Sequence, residues 1–198
     1  MTIDVIDSLA GIAPGSALHK ARANRPDARK HAQASYDALF APRSFGSFSA
    51  HERFAVAAFV AGLHGRPETR DFYKAKLEDV GASPEMRVAI ASEIFEAHTH
   101  GPYGRYPRGP LSLENQDGPA YAAGPMVREV IGERLATAFE HVHMLVFHPR
   151  DAAPASLQAM LDAGWTTTEI VTLSQLVSFL AFQIRVVAGL KALSARPA

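Results

Sequence analysis

Arg134, His141 and His148 follow one another at intervals of seven. On a helix they share one border of the apolar stripe made by Val127, Ile131, Leu135, Ala138, Val142 and Leu145. One cation and two imidazoles in a row have two readings. They bind an anionic substrate, with His141 as general base, or they form a solvated helix border. His141 and His148 would stand about 10.5 Å apart at 1.5 Å per residue, too far to share one metal directly. A second group lies in EIFEAHTHG: Glu93, Glu96, His98 and His100. Glu93 borders the apolar face of Met86, Ala89, Ile90, Ile94 and Ala97, which makes it a pocket candidate with His98. Glu96 and His100 have the i, i+4 spacing that holds zinc or iron when other ligands join from elsewhere. The same histidines at a helix end also suit the dipole as a plain C-cap. Glu140 and His143 are an i, i+3 pair of the di-iron type, but that site needs two such pairs and only one is present. Metal would require the two histidine groups to meet in space, and no cofactor is expected.

Gln175, Gln183 and Arg185 stand among Val171, Leu176, Val177, Leu180, Ile184 and Val187. A buried arginine there needs a carboxylate partner, or else anchors a substrate. Glu52 and Glu169 read as helix caps, and Trp165 with the phenylalanines as core. Tyr103, Arg105, Tyr106 and Arg108 suit a lid or an interface.

The composition narrows the chemistry. The chain has 198 residues, 47% of them hydrophobic, enough for one domain with a real core. Twenty Lys and Arg balance twenty Asp and Glu, which argues against a broad nucleic-acid surface or a polybasic membrane binder. There is no cysteine, so disulfides, thiolate metal sites and thiol peroxidase chemistry are excluded. The opening MTIDVIDSLAG has no basic residue before Lys20 and lacks a signal peptide's start. No apolar run reaches about 18 residues without a polar break, so the expected location is cytoplasmic, away from membranes.

The elements that must hold these residues all read as helices, which makes the class all-α. Residues 1–25 form an N-terminal extension. Pro26 opens a helix to about Phe40. Ser49 and Glu52 form a capping box before an all-round apolar helix that ends near His64 and Gly65. Helices follow over about 68–80 and 84–98. The proline- and glycine-rich stretch 99–118 is a long loop, an uncommon feature that is usually functional or an exchanged arm. One helix is expected from Met126 to Phe147 and a short one from Pro154 to Ala163. A second box, Thr166 with Glu169, starts a long final helix. Placing Ser49 on Thr166 pairs Glu52 with Glu169, Val56 with Leu173, Phe59 with Leu176, Val60 with Val177 and Leu63 with Leu180. That pattern suggests two similar halves, 26–98 and 119–195, within a single domain 26–198.

The segment from Leu135 onward, with His148-Pro149-Arg150-Asp151, Ala163-Gly164, the Thr-Glu-Ile-Val box and Arg185-Val186-Val187, resembles the carboxymuconolactone decarboxylase superfamily. The likeness is to its alkylhydroperoxidase-D-like, peroxidase-related branch, and SAHERFAVAAFVAGLHG looks like the family's first core helix. The resemblance spans roughly 30–193. It implies an alkylhydroperoxidase-D-like helical bundle assembled as a homo-oligomer, a dimer, trimer or hexamer. The family's Cys-x-x-Cys and following His would fall on Arg66, Thr69 and Tyr73. None of these attacks a peroxide, so the thiol activity does not carry over, although the three side chains would line the equivalent pocket.

Cofactor-free decarboxylases of the superfamily, by the same resemblance, work through acid–base chemistry. The leading expectation is such an enzyme acting on a small carboxylated or oxidised substrate. His141, Glu93 and His98 are its acid–base candidates. Arg134, Arg66, Thr69, Tyr73 and His148 are its substrate-binding candidates. The alternative is a non-catalytic helical assembly or binding protein. A metal enzyme built on Glu96, His100 and His143 is third.

Overall fold

The capping box at Ser49 forms as the spacing demands: the Ser49 hydroxyl accepts from the Glu52 amide, and the Glu52 carboxylate accepts from Ser49 N at 2.8 Å. It opens α4 (Ala50–Leu63), in which every residue from Arg53 to Leu63 is buried. In this computed structural model, which describes residues 4–195, α4 is the central rod. Three helices lead to it: α1 (Val5–Ala10), α2 (Ala17–Ala23) and α3 (Pro26–Phe40). α5 (Pro67–Asp79) and α6 (Pro84–Glu96) fold back beside it. After the long loop come α7 (Pro125–Ile131), α8 (Glu133–Phe147), α9 (Pro154–Asp162) and α10 (Thr167–Ser194). No strand occurs among the described residues, so the protein is all-α.

α4 packs on α3, α5, α6, α8 and α10. Phe59 of α4 stacks on Phe139 of α8, with ring centroids 4.2 Å apart and planes 3° from parallel. Against α6 the approach is closer still. A Cβ on Gly62 would stand 2.4 Å from Cγ2 of Ile94, so only glycine allows the two helices to meet there.

The single helix expected over 126–147 is two. Gly132 has φ 82° and ψ 153°, a conformation closed to L side chains, and it turns the chain between α7 and α8. The break lets α7 pack on α6 while α8 lies on α4, α9 and α10. The N-terminal segment contributes its own small cluster: Val5, Ile6 and Leu9 pack with Ala32 and Val187. Asp4 and Asp7 bind Arg22 and Arg29, tying α1 to α2 and α3. The stretch 99–118 is irregular but pinned: Tyr103 N donates to Phe147 O, and Gly104 and Gln116 exchange backbone hydrogen bonds.

α10 carries 28 residues and a mean hydropathy of 1.7 over its most apolar stretch, enough in length and composition to cross a membrane. Half of that stretch is buried against the rest of the fold, as in a core helix. Its capping box closes at Thr166 and Glu169 as expected. Both capping carboxylates then meet one cation. Arg134 Nε bonds Glu52 at 2.7 Å, and its Nη2 bonds Glu169 at 2.8 Å. The guanidinium lies 4.0 Å over the Trp165 ring and also donates to Gly164 O.

Candidate functional site

Glu93 sits on the last turn of α6, beside the loop that precedes α7, and is only 5% exposed. A buried carboxylate needs donors. The phenol of Tyr121, on the strand of loop before α7, donates to Glu93 Oε2. That loop is held by two further contacts. Ala123 N donates to Glu140 Oε1 at 3.0 Å, and Arg128 bonds both Ala123 O and Glu140. Glu140 thus anchors the segment carrying Tyr121; it does not pair with His143.

His143 of α8 lies face-tilted against Tyr121, ring centroids 5.2 Å apart, and is buried. Its Nε2–H donates to Ala97 O at 3.1 Å. A carbonyl only accepts, so the proton is on Nε2 and the lone pair on Nδ1. Burial lowers the His143 pKa to about 4, outweighing the Ala97 carbonyl, and the neighbouring His148 pushes the same way. Tyr121 is shifted upward, first by burial and then by the Glu93 hydrogen bond and the charges of Glu93 and Glu140. At neutral pH the cleft therefore holds a protonated phenol and a neutral imidazole.

These groups line a cleft of about 340 Å³ between the end of α6, residues 119–124 and α8. His98 and Glu96 lie at its exposed mouth. His98 also leans toward the α4–α5 turn, its Nε2 3.9 Å from where a Cβ on Gly65 would be. His148 pins the cleft wall from behind, with Nε2–H donating to Pro119 O at 3.0 Å and Nδ1 3.2 Å from Asp151.

The fold brings Glu93, His98, Glu96 and His143 into one cleft and leaves other candidates outside it. His141 is not on a solvated border. It is buried, both ring nitrogens lack a protein partner, and burial lowers its pKa. Arg134 is occupied by Glu52, Glu169 and Gly164 on the far side of α8. Arg66 is exposed at the start of α5. Thr69 and Tyr73 are buried, and Tyr73 donates to Gln183 at 2.6 Å. His100 is exposed, edge-on to His98 at 5.4 Å. Among the described residues no three His, Asp or Glu side chains are placed to hold a metal ion, so Glu96, His100 and His143 do not form one site. The carboxylate partner expected for Arg185 is also absent among the described residues; the side chain bonds Ala181 O at 2.8 Å.

Tyr121 carries no signal in the sequence. It lies in PAYAAG, a stretch without period or charge. Among the described residues no Lys or Arg lines the cleft, so they offer no anchor there for a substrate carboxylate. No family model matches this chain, and neither the curated proteins nor the solved structures contain a match to it.

Proposed function

We propose that this protein is a cofactor-free acid–base enzyme working in the Glu93–Tyr121–His143 cleft, within a helical bundle of the carboxymuconolactone decarboxylase, alkylhydroperoxidase-D-like type. The two capping boxes that share Arg134 support the two-halves reading, since equivalent helix starts meet at one cation. Cytoplasmic placement belongs to the same proposal, with α10 serving as a core helix. The observation that carries the enzymatic reading is a buried carboxylate bound by a protonated phenol beside a neutral imidazole, open to solvent through one cleft.

The arrangement favours the oxidised substrate over the carboxylated one. Two glutamates, with no Lys or Arg among the described residues that line the cleft, repel an anion. A small neutral carbonyl compound fits. Glu93 takes a proton from the carbon beside the carbonyl. On substrate binding the Tyr121 phenol, kept protonated, turns its one O–H from Glu93 to the oxygen on which charge builds, which frees Glu93 as the base. Return of the proton from Glu93 to a different carbon or face completes an isomerisation.

The test is hydrogen–deuterium exchange into small cyclic ketones and lactones in D2O, followed by proton NMR. Wild type is expected to accelerate exchange, and Glu93→Gln to lose about 10²–10⁴-fold of that rate. Tyr121→Phe should lose less and keep the pH profile. Equal rates for a folded Glu93→Gln variant, or no carbonyl probe exchanged faster than in buffer, would sink the reading.

A second reading, assembly with further copies of the chain, is favoured by one feature. The groove between α9 and the first half of α10 is lined by Leu157, Leu161, Ile170 and Val171 with no charged side chain.

A further inference from the structure

A second cavity, about 530 Å³, opens where the end of α4 meets the end of α8 and the middle of α10. Its walls are apolar where Pro102, Leu145, Phe147 and Val177 face it. Its polar groups are few. His64, which caps α4, presents a buried Nε2 with no protein partner. Arg185 lines the same cavity without any carboxylate partner among the described residues. Ser174 and Ser178 spend their protons on Ile170 O and Ser174 O, each at 2.9 Å, so their oxygens remain acceptors. No Asp or Glu lines it.

We propose that this cavity binds a small organic monocarboxylate with a flat apolar body, its carboxylate on Arg185 and His64 and its ring against Phe147 and Val177. The charge decides the class. One guanidinium balances one negative charge, and its fork matches a carboxylate. A phosphate, at about −1.5 to −2, would stay under-neutralised against apolar walls. His64 completes the pairing as the neutral tautomer with its proton on Nε2, whose N–H then donates to the docked carboxylate, the acceptor that this nitrogen lacks. The site is separate from the Glu93 cleft and does not depend on the chemistry proposed there.

The test is an NMR titration of labelled, full-length protein with benzoate, and in parallel with benzamide and inorganic phosphate. Saturable shifts confined to His64, Phe147, Val177 and Arg185 are expected for benzoate. Benzamide should give none, and phosphate should compete only weakly. Arg185→Gln should weaken benzoate binding about tenfold or more, and Arg185→Lys should restore part of it. Arg185 is exposed, so both variants should fold, which circular dichroism checks. Glu93→Gln should bind benzoate as wild type does. Equal affinity of Arg185→Gln and wild type, equal binding of benzamide and benzoate, or no saturable shift at millimolar benzoate would each overturn the proposal.

Discussion

Arg134 illustrates how one residue can be right in place and different in role. The spacing sets it beside the apolar stripe as a substrate anchor, yet its charge is spent on the caps of α4 and α10. Removing it leaves two carboxylates facing one another at two helix starts. Arg134→Gln should destabilise the fold by about 1–3 kcal/mol in urea denaturation, since the pair is only partly buried. The pH dependence has two windows. Burial opposes ionisation of Glu169, but hydrogen bonds from Ser47, Thr166 and Arg134 prevail and hold it at about 2. A depressed carboxylate contributes stability above its unfolded value of about 4.5, lost as the pH falls toward about 2. His64 and His143, both near 4 against about 6.5 unfolded, act higher: the unfolded chain takes up their protons first, so stability falls between about 6.5 and 4. Denaturation midpoints across pH should show both slopes, and Arg134→Gln should flatten only the acid one. Burial of His141 was not legible from spacing. α8 packs on α4, α7, α9 and α10, and that packing covers the face carrying His141 while Glu133 stays exposed and Arg134 half-buried.

At the scale of elements, caps and breakers carried most of the legible information. Ser49, Thr166 and Pro26 start helices where they should. Gly132 was missed because the residues on either side, Ile131 and Leu135, continue the apolar period across it. The break matters to the site: it frees α7 to pack on α6, and the turn before α7 carries Tyr121 to Glu93. Gly62 positions the same site from behind, by letting α6 approach α4. Gly62→Ala should push Ile94 and the α6 backbone outward and cost about 1–3 kcal/mol. Ile94→Ala by itself leaves a gap and also destabilises. Together the two should cost less than the sum of the singles, because the added methyl fills part of that gap. Strict additivity in thermal or urea unfolding would show that the α4–α6 contact is not what Gly62 serves.

For the whole molecule, the class was legible and the cleft was not. Helical period reports one face of one segment, whereas Glu93 and Tyr121 are 28 residues apart and His143 lies on a third element. Which faces meet depends on packing, and packing also decides which face is left over. That face is the groove beside α9, where Val171 is 57% exposed, Leu157 46% and Leu161 38%. Burying it against a second copy would remove apolar surface without stranding a charge, because none lies along it. A neighbouring copy seated there would also lie beside Ser174 and Ser178, which line both this groove and the second cavity. Light scattering on a sizing column should then give a defined oligomer at micromolar concentration, and Leu161→Glu with Val171→Glu should yield a folded monomer. Both sites are exposed, so the charges cost the isolated fold little. A wild-type monomer, or an oligomer indifferent to both substitutions, would rule out this groove as the assembly face.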